Sequence, residues 1–133
     1  MDKLKVLFLS EGNCCRSQMA EGFAKKWGSD VMIPMSAGVN PDASIRPEAI
    51  KYMKEAGVDI SSQHPKAIED VEFPDVVISM DAENPCSIPD VTCIDWSLAS
   101  PEGRDEAFYK RVRDIIASRV RVLIQDIKDG DLI

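Results

Sequence analysis

The chain has 133 residues and a formal net charge of -7 at pH 7, with 16 basic against 23 acidic residues. This length fits one domain, and the acidic balance argues against a nucleic-acid partner, which needs clustered Lys and Arg. No apolar run reaches the roughly 20 residues that span a bilayer, and the start lacks a signal cleavage site. We therefore expect a cytoplasmic protein that has no membrane partner.

The first half of the chain alternates between strand and helix patterns. A nearly continuous apolar run over residues 3–9 predicts a buried parallel strand. Apolar residues at helical spacing then predict a helix over 17–28, which ends at a glycine. Residues 31–36 favour a second strand, and a second helix is predicted over 47–57, with a proline in its first turn and a glycine at its end.

The second half continues with two more strands and a long helix. A short helix is predicted after Pro65, and the segments "DVVISM" at 75–80 and "VTCIDW" at 91–96 predict the third and fourth strands. Apolar residues at i, i+4, i+7 and i+8 then predict a helix over 108–127.

These elements predict an α/β fold in one domain over residues 1–133. With right-handed crossovers, their order produces a small four-stranded parallel sheet with helices on both faces. In such sheets, ligands bind beyond the carboxyl ends of the strands. The loop after the first strand is therefore the expected ligand site.

That loop reads "SEGNCCRS" over residues 10–17. Gly12 and Asn13 are residue types that tolerate left-handed backbone angles, which lets successive N–H groups point inward. The following helix N-terminus adds partial positive charge, and Arg16 can offer two parallel donors to a tetrahedral oxyanion. These residues fit a phosphate-sized anion cradle. An ordinary strand-to-helix turn with a surface arginine fits them equally well.

A resemblance to a known family favours the cradle. The segment "VLFLSEGNCCRSQMAEGFA" resembles the active-site region of the thioredoxin-coupled arsenate reductases, relatives of the low-molecular-weight protein tyrosine phosphatases. The family pattern is Cys-(x)5-Arg-Ser after the first strand. Further matches follow in family order, with "SAG" at 36–38, "RPEAIKYMKEAGVDIS" at 46–61, "DVVISM" at 75–80 and "WSLASP" at 96–101.

The resemblance implies a role for each matching position. The family nucleophile position is Ser10, the second cysteine position is Ala82, the third is Cys86, and the general-acid position is Ser100. The family reaction reduces arsenate to arsenite with thioredoxin as electron donor, without a cofactor or a metal. The residues that the resemblance implies for binding arsenate or phosphate are Glu11, Gly12, Asn13, Cys14, Cys15, Arg16 and Ser17.

Three of these positions depart from the family pattern, which predicts impaired catalysis. An alcohol ionises far less readily than a thiol, so Ser10 should be a very poor nucleophile, and it cannot form a disulfide. Without a cysteine at Ala82, the usual relay to Cys86 is also missing. Natural divergence and deliberate replacement both fit Ser10 and Ala82; Ser100 favours divergence. Asp95 and Asp105 are candidates for replacing the missing acid.

Alternative functions stay open at this point. The chain is alternatively a non-catalytic oxyanion binder, a redox module that docks thioredoxin through Cys86, or a phosphatase. Of the remaining cysteines, Cys15 is expected to be a buried support, Cys14 is a possible surrogate thiol, and Cys93 is expected in the core of the fourth strand. Because the chain has no Cys-x-x-Cys motif and one histidine, His64, we expect no structural zinc.

Overall fold

The structure, a computed structural model, describes residues 3–81 and 88–132. Its elements follow the predicted order, with small shifts at their ends. The strands and helices are β1 Leu4–Ser10, α1 Arg16–Gly28, β2 Met32–Gly38, α2 Pro47–Glu55, a 3₁₀ helix Ile68–Asp70, β3 Val76–Ser79, β4 Thr92–Asp95 and α3 Glu106–Asp129.

The four strands form one parallel sheet in the order β2-β1-β3-β4, as the fold prediction requires. The central strand β1 is flanked on both sides, with Ser10 opposite Gly38 and Leu9 opposite Ser79. The carboxyl ends of β1, β2 and β3 therefore meet at one edge of the sheet. The loop that follows β1 lies between the chain segments that follow its two neighbours.

The two faces of the sheet are covered by different layers, and helices lie on both. The larger core cluster joins one strand face to all three α-helices, with Phe8, Phe23 and Ile116 among its fully buried side chains. The smaller cluster on the other face contains Leu7 and Val77, and the 3₁₀ helix packs Ile68 against it. The predicted fold class is confirmed. None of the described helices is long and apolar enough to cross a membrane.

The position of Cys93 corrects one prediction. We expected this residue in the core because its strand segment is apolar, but Cys93 is exposed. Strand β4 is at the edge of the sheet, and most of its residues are exposed. Cys93 lies opposite Val77, on the face covered by the smaller cluster. Cys93 is thus exposed because it lies on an edge strand, on the sheet face that the smaller cluster covers. Apolar periodicity alone cannot predict this position.

Candidate active site

The loop between β1 and α1 is held by the chain segment that follows β2. The amides of Val39, Asn40 and Asp42 donate to the carbonyls of Ser10, Glu11 and Gly12 at 3.1, 2.8 and 2.9 Å. The amide of Arg46 donates to the Cys14 carbonyl at 3.1 Å. In a trans peptide the N–H points away from the C=O. The loop therefore turns its carbonyls toward this segment and its N–H groups to the opposite side.

Several of these N–H groups have no acceptor among residues 3–81 and 88–132. Among the described residues, none accepts a hydrogen bond from the amides of Gly12, Cys14 or Cys15. Arg16 and Ser17 open α1, where the first N–H groups have no partner within the helix. Cys14, Cys15, Arg16 and Ser17 are all buried, and buried amides are almost always paired. The loop thus presents a row of donors suited to an anion.

Asn13 fixes the shape of the loop. Its backbone φ is 53°, the left-handed angle that the sequence suggested. Its side-chain amide donates to Ser17 Oγ at 2.7 Å and accepts from Gln18 Nε2 and the Lys66 amide, both at 2.9 Å. Asn13, Ser17 and Gln18 are fully buried. This closed network pre-orders the loop, so ordering it costs little on binding.

Gly12 has a different role from the one expected. It is not among the described glycines with positive φ, so left-handed geometry is not what requires a glycine there. A Cβ at Gly12 would lie 2.6 Å from Asp42 Oδ2. A side chain at position 12 would therefore have to displace the Asp42 carboxylate.

Ser10 is buried at the start of the loop, and the part of the chain that the structure describes gives its hydroxyl no base. Ser10 Oγ lies 2.6 Å from Ser17 Oγ and accepts from the Asn13 amide at 3.2 Å. Among the described residues, no histidine or carboxylate bonds to this hydroxyl. The Glu11 carboxylate accepts from Asn40 Nδ2 at 2.9 Å. An alcohol without a base is a weak nucleophile.

Arg16 spans the site but is already engaged through one nitrogen. Its Nη1 donates to Asp81 Oδ1 at 2.5 Å, to the Leu98 carbonyl at 2.6 Å and to the Met80 carbonyl at 3.3 Å. These bonds tie the first loop to the segments that follow β3 and β4. All the described hydrogen bonds of Arg16 leave from Nη1, so its other nitrogens are available to an anion.

Asp81 is a site residue that the sequence analysis missed. While one carboxylate oxygen pairs with Arg16, the other accepts from the Glu11 amide at 2.9 Å. Asp81 thus binds two groups of the loop over residues 10–17, which we call the oxyanion loop, and adds a negative charge beside them. A signal was present in the sequence, because Asp81 directly follows the predicted third strand, at the sheet edge where ligands are expected.

The other predicted site residues are placed as follows. Ala82 and Cys86 lie outside the described residues. Ser100 Oγ accepts from the Glu102 amide at 3.3 Å, two residues beyond the Leu98 carbonyl that binds Arg16. The described structure thus brings Ser100 near the site without joining it to the loop.

The two candidate replacement acids have local structural roles. Asp95 accepts from the amide and hydroxyl of Ser97 at 2.8 and 2.9 Å. Asp105 caps α3 by accepting from the Phe108 amide at 2.9 Å. Neither contact joins the oxyanion loop.

The adjacent thiols Cys14 and Cys15 lie behind the loop. Cys15 is buried, as expected of a supporting residue, and its Sγ lies 3.6 Å from Cys14 Sγ and 3.2 Å from the Tyr109 hydroxyl. Hydrogen bonds from both groups lower the pKa of Cys15 against the opposing effect of burial. The bond to Cys15 and burial raise the pKa of Cys14 well above its ordinary value.

Comparisons with known proteins agree with this fold. The family described as low molecular weight phosphotyrosine protein phosphatase matches residues 5–131. An arsenate reductase of Bacillus licheniformis is 41% identical over 133 residues, covering 91% of this chain and 95% of its own. A solved arsenate reductase in the phosphate binding state is 37% identical, with a TM-score of 0.82 over 93% of this chain and 98% of its own.

A third relative is described as dependent on thioredoxin. The thioredoxin-dependent arsenate reductase of Corynebacterium glutamicum is 29% identical, with a TM-score of 0.80 over 96% of this chain and 63% of its own. Together, the matching family, the close relatives and the solved structures cover nearly the whole chain. The chain therefore belongs to the low molecular weight phosphotyrosine protein phosphatase family, in its arsenate reductase branch.

Proposed function

We propose that this protein binds phosphate or arsenate in the loop over residues 10–17 and does not reduce arsenate by the three-cysteine reaction. The observation that carries the binding proposal is the row of loop amides for which the described residues offer no acceptor, closed at one end by Arg16. The solved relative in the phosphate binding state supports the choice of anion. The site acts in the cytoplasm.

The electrostatics of the loop favour a compact oxyanion. The N-terminus of α1 carries partial positive charge, and the guanidinium of Arg16 adds a full one at the same place. The side chain of Arg16 is only 8% exposed, so water screens its charge weakly. The positive charges of the helix N-terminus and of Arg16 lie next to the loop. For an anion in the loop they therefore outweigh the overall negative charge of the chain.

Turnover is limited by Ser10. Reduction of arsenate to arsenite takes up two electrons, which the family obtains from thiols, and a serine cannot supply them. The contacts of the Ser10 hydroxyl to Ser17 and Asn13 give it no base that would make it a nucleophile. The same argument disfavours the phosphatase alternative, which needs a nucleophile at this position.

Thioredoxin docking is a second candidate function, with Cys86 as the docking residue. The family position of Cys86 and the thioredoxin-dependent relative support it. With Ala82 in place of the second cysteine, the oxidising step that normally prepares Cys86 is missing, so docking is the weaker proposal.

Asp81 sets the affinity for the anion. Its carboxylate holds the Glu11 amide and Arg16 Nη1, and it carries the same sign of charge as the ligand. An incoming anion must therefore approach this carboxylate or displace it from the loop. We infer that Asp81 weakens binding of doubly charged anions.

Replacement of Arg16 tests the binding proposal. Arg16→Ala should weaken phosphate and arsenate binding about 10- to 100-fold, because a hydrogen bond to a charged group contributes roughly 1.5–3 kcal/mol. The control Arg111→Ala removes the same charge from an exposed position on α3. Calorimetric titration measures the affinities, and thermal unfolding confirms that both variants fold. Equal weakening by both variants, or no binding by the unaltered protein, contradicts the proposal.

Replacement of Asp81 tests its effect on affinity. Asp81→Asn should tighten phosphate binding at least tenfold, since a like charge within about 10 Å costs roughly 1.7 kcal/mol or more at an effective dielectric constant near 20. Asp30→Asn, on the exposed turn after α1, changes the net charge equally and should have little effect. The same titration measures both. Unchanged or weaker binding by the Asp81 variant would show that this carboxylate does not oppose the anion.

Restoring the thiols tests why turnover is limited. The double change Ser10→Cys and Ala82→Cys should produce thioredoxin-coupled release of arsenite that the unaltered protein lacks. Arsenite release is measured with thioredoxin, its reductase and NADPH. The matched control Ser10→Ala with Ala82→Cys carries the second thiol but no nucleophile and should stay inactive. Strong activity in the unaltered protein would refute the proposed limitation.

A further inference from the structure

A pair of thiols lies behind the oxyanion loop, on the side of the 39–46 segment. Cys14 and Cys15 are adjacent in the chain, and their sulfur atoms lie 3.6 Å apart. Within the described residues, these sulfurs and a carboxylate oxygen of Glu102 all lie within 4.8 Å of one another. We propose that Cys14 and Cys15 form a chelating site for trivalent arsenic, separate from the face of the loop that receives the oxyanion.

The geometry suits one soft atom bonded to both sulfurs. A thiolate bond to a soft centre such as zinc is about 2.3 Å long, so one atom can bridge two sulfurs separated by 3.6 Å. A disulfide between the two cysteines is disfavoured, because adjacent Cα atoms are about 3.8 Å apart and disulfides usually need at least about 4.4 Å. The pair is therefore expected to persist as a dithiol.

The residues around the pair favour arsenic over a divalent metal. A structural zinc site takes four protein ligands, whereas the described residues offer two sulfurs and one carboxylate here. Trivalent arsenic needs only the two sulfurs and keeps one hydroxyl. That hydroxyl can donate a hydrogen bond to Glu102, and the neutral adduct is compatible with burial.

The binding step is an exchange without oxidation. Arsenious acid, As(OH)3, reacts with the two thiols to form two As–S bonds. Two As–OH bonds break, and the hydroxyl groups leave with the two thiol protons as two water molecules. Each sulfur bonds to arsenic as its thiol proton passes to a leaving hydroxyl group, and the 3.6 Å between the two sulfurs lets both bonds form at one arsenic atom.

An exposed ion pair lies beside the two thiols. Arg46 Nε donates to Glu102 Oε1 at 2.7 Å, and both side chains are well exposed, at 50% and 39%. An exposed ion pair of this kind contributes little stability, so it can open readily. The thiols themselves are almost fully covered, which limits their access to larger reagents.

The inference rests in part on the proposed function, which places arsenate on the other side of the same loop. A protein exposed to arsenate in a reducing cell also meets arsenite. The thiol pair binds arsenite through As–S bonds, while the loop amides bind arsenate through its negative charge. The two sites use different atoms and can be tested separately.

The test is arsenite titration of the full chain, kept reduced with a phosphine. We expect one arsenic per protein by native mass spectrometry, with an absorbance increase from As–S bonds. Cys14→Ser and Cys15→Ser should each weaken binding about 100-fold, the typical loss when a two-point attachment becomes one-point. Cys93→Ser, at an exposed position on the edge strand β4, should leave binding unchanged. Thermal unfolding without arsenite establishes that each variant folds, and Cys14→Ala is a second test at the same position.

Each outcome decides the matter. Failure of the unaltered protein to bind arsenite overturns the proposal, as does full binding by the folded Cys14 variants. Displacement of arsenite by an equal concentration of Zn2+ overturns the assignment to arsenic. Phosphate titration of the same protein is independent: phosphate binding without arsenite binding refutes the thiol site alone, and the reverse result refutes the oxyanion site alone.

Discussion

The buried side chain of Asn13 is the constraint on which the site depends. Its left-handed backbone turns the chain, and its amide joins Ser17, Gln18 and the Lys66 backbone in one network. The 39–46 segment completes the arrangement, because its amides donate to the loop carbonyls and the neighbouring Gly38 lies close against the loop. The loop amides are thereby oriented before any ligand arrives. Because the loop is already ordered, little conformational entropy is lost when a ligand binds.

The charges around this cradle are balanced rather than simply attractive. The positive charge of Arg16 favours an anion, while Asp81 already binds one nitrogen of the guanidinium and one loop amide. Ser10 keeps the size and polarity of the nucleophile position but loses its redox chemistry. The geometry of a family active site and its reactivity are thus separable. Under the proposed function, Arg16 and the loop amides hold the anion, while Ser10 and Ala82 lack the thiols that would transform it.

Much of the fold could be predicted from the sequence, because buried parallel strands and amphipathic helices have distinct periodicities. The site loop could also be predicted, from Gly12, Asn13 and Arg16 between a strand and a helix. Cys93 was misplaced because periodicity does not reveal which strand lies at the edge. Asp81 was missed because its role arises from contacts 65 and 70 residues away in the chain, which only folding creates.

The central claim is that the loop amides, rather than scattered surface cations, bind the oxyanion. Phosphate titration of 15N-labelled protein, followed through the backbone amide resonances, tests it most directly. The account predicts that the resonances of Gly12, Cys14, Cys15, Arg16 and Ser17 shift together and saturate at one phosphate per chain. Shifts that are confined to the basic residues of α3, with the loop resonances unchanged, would contradict it.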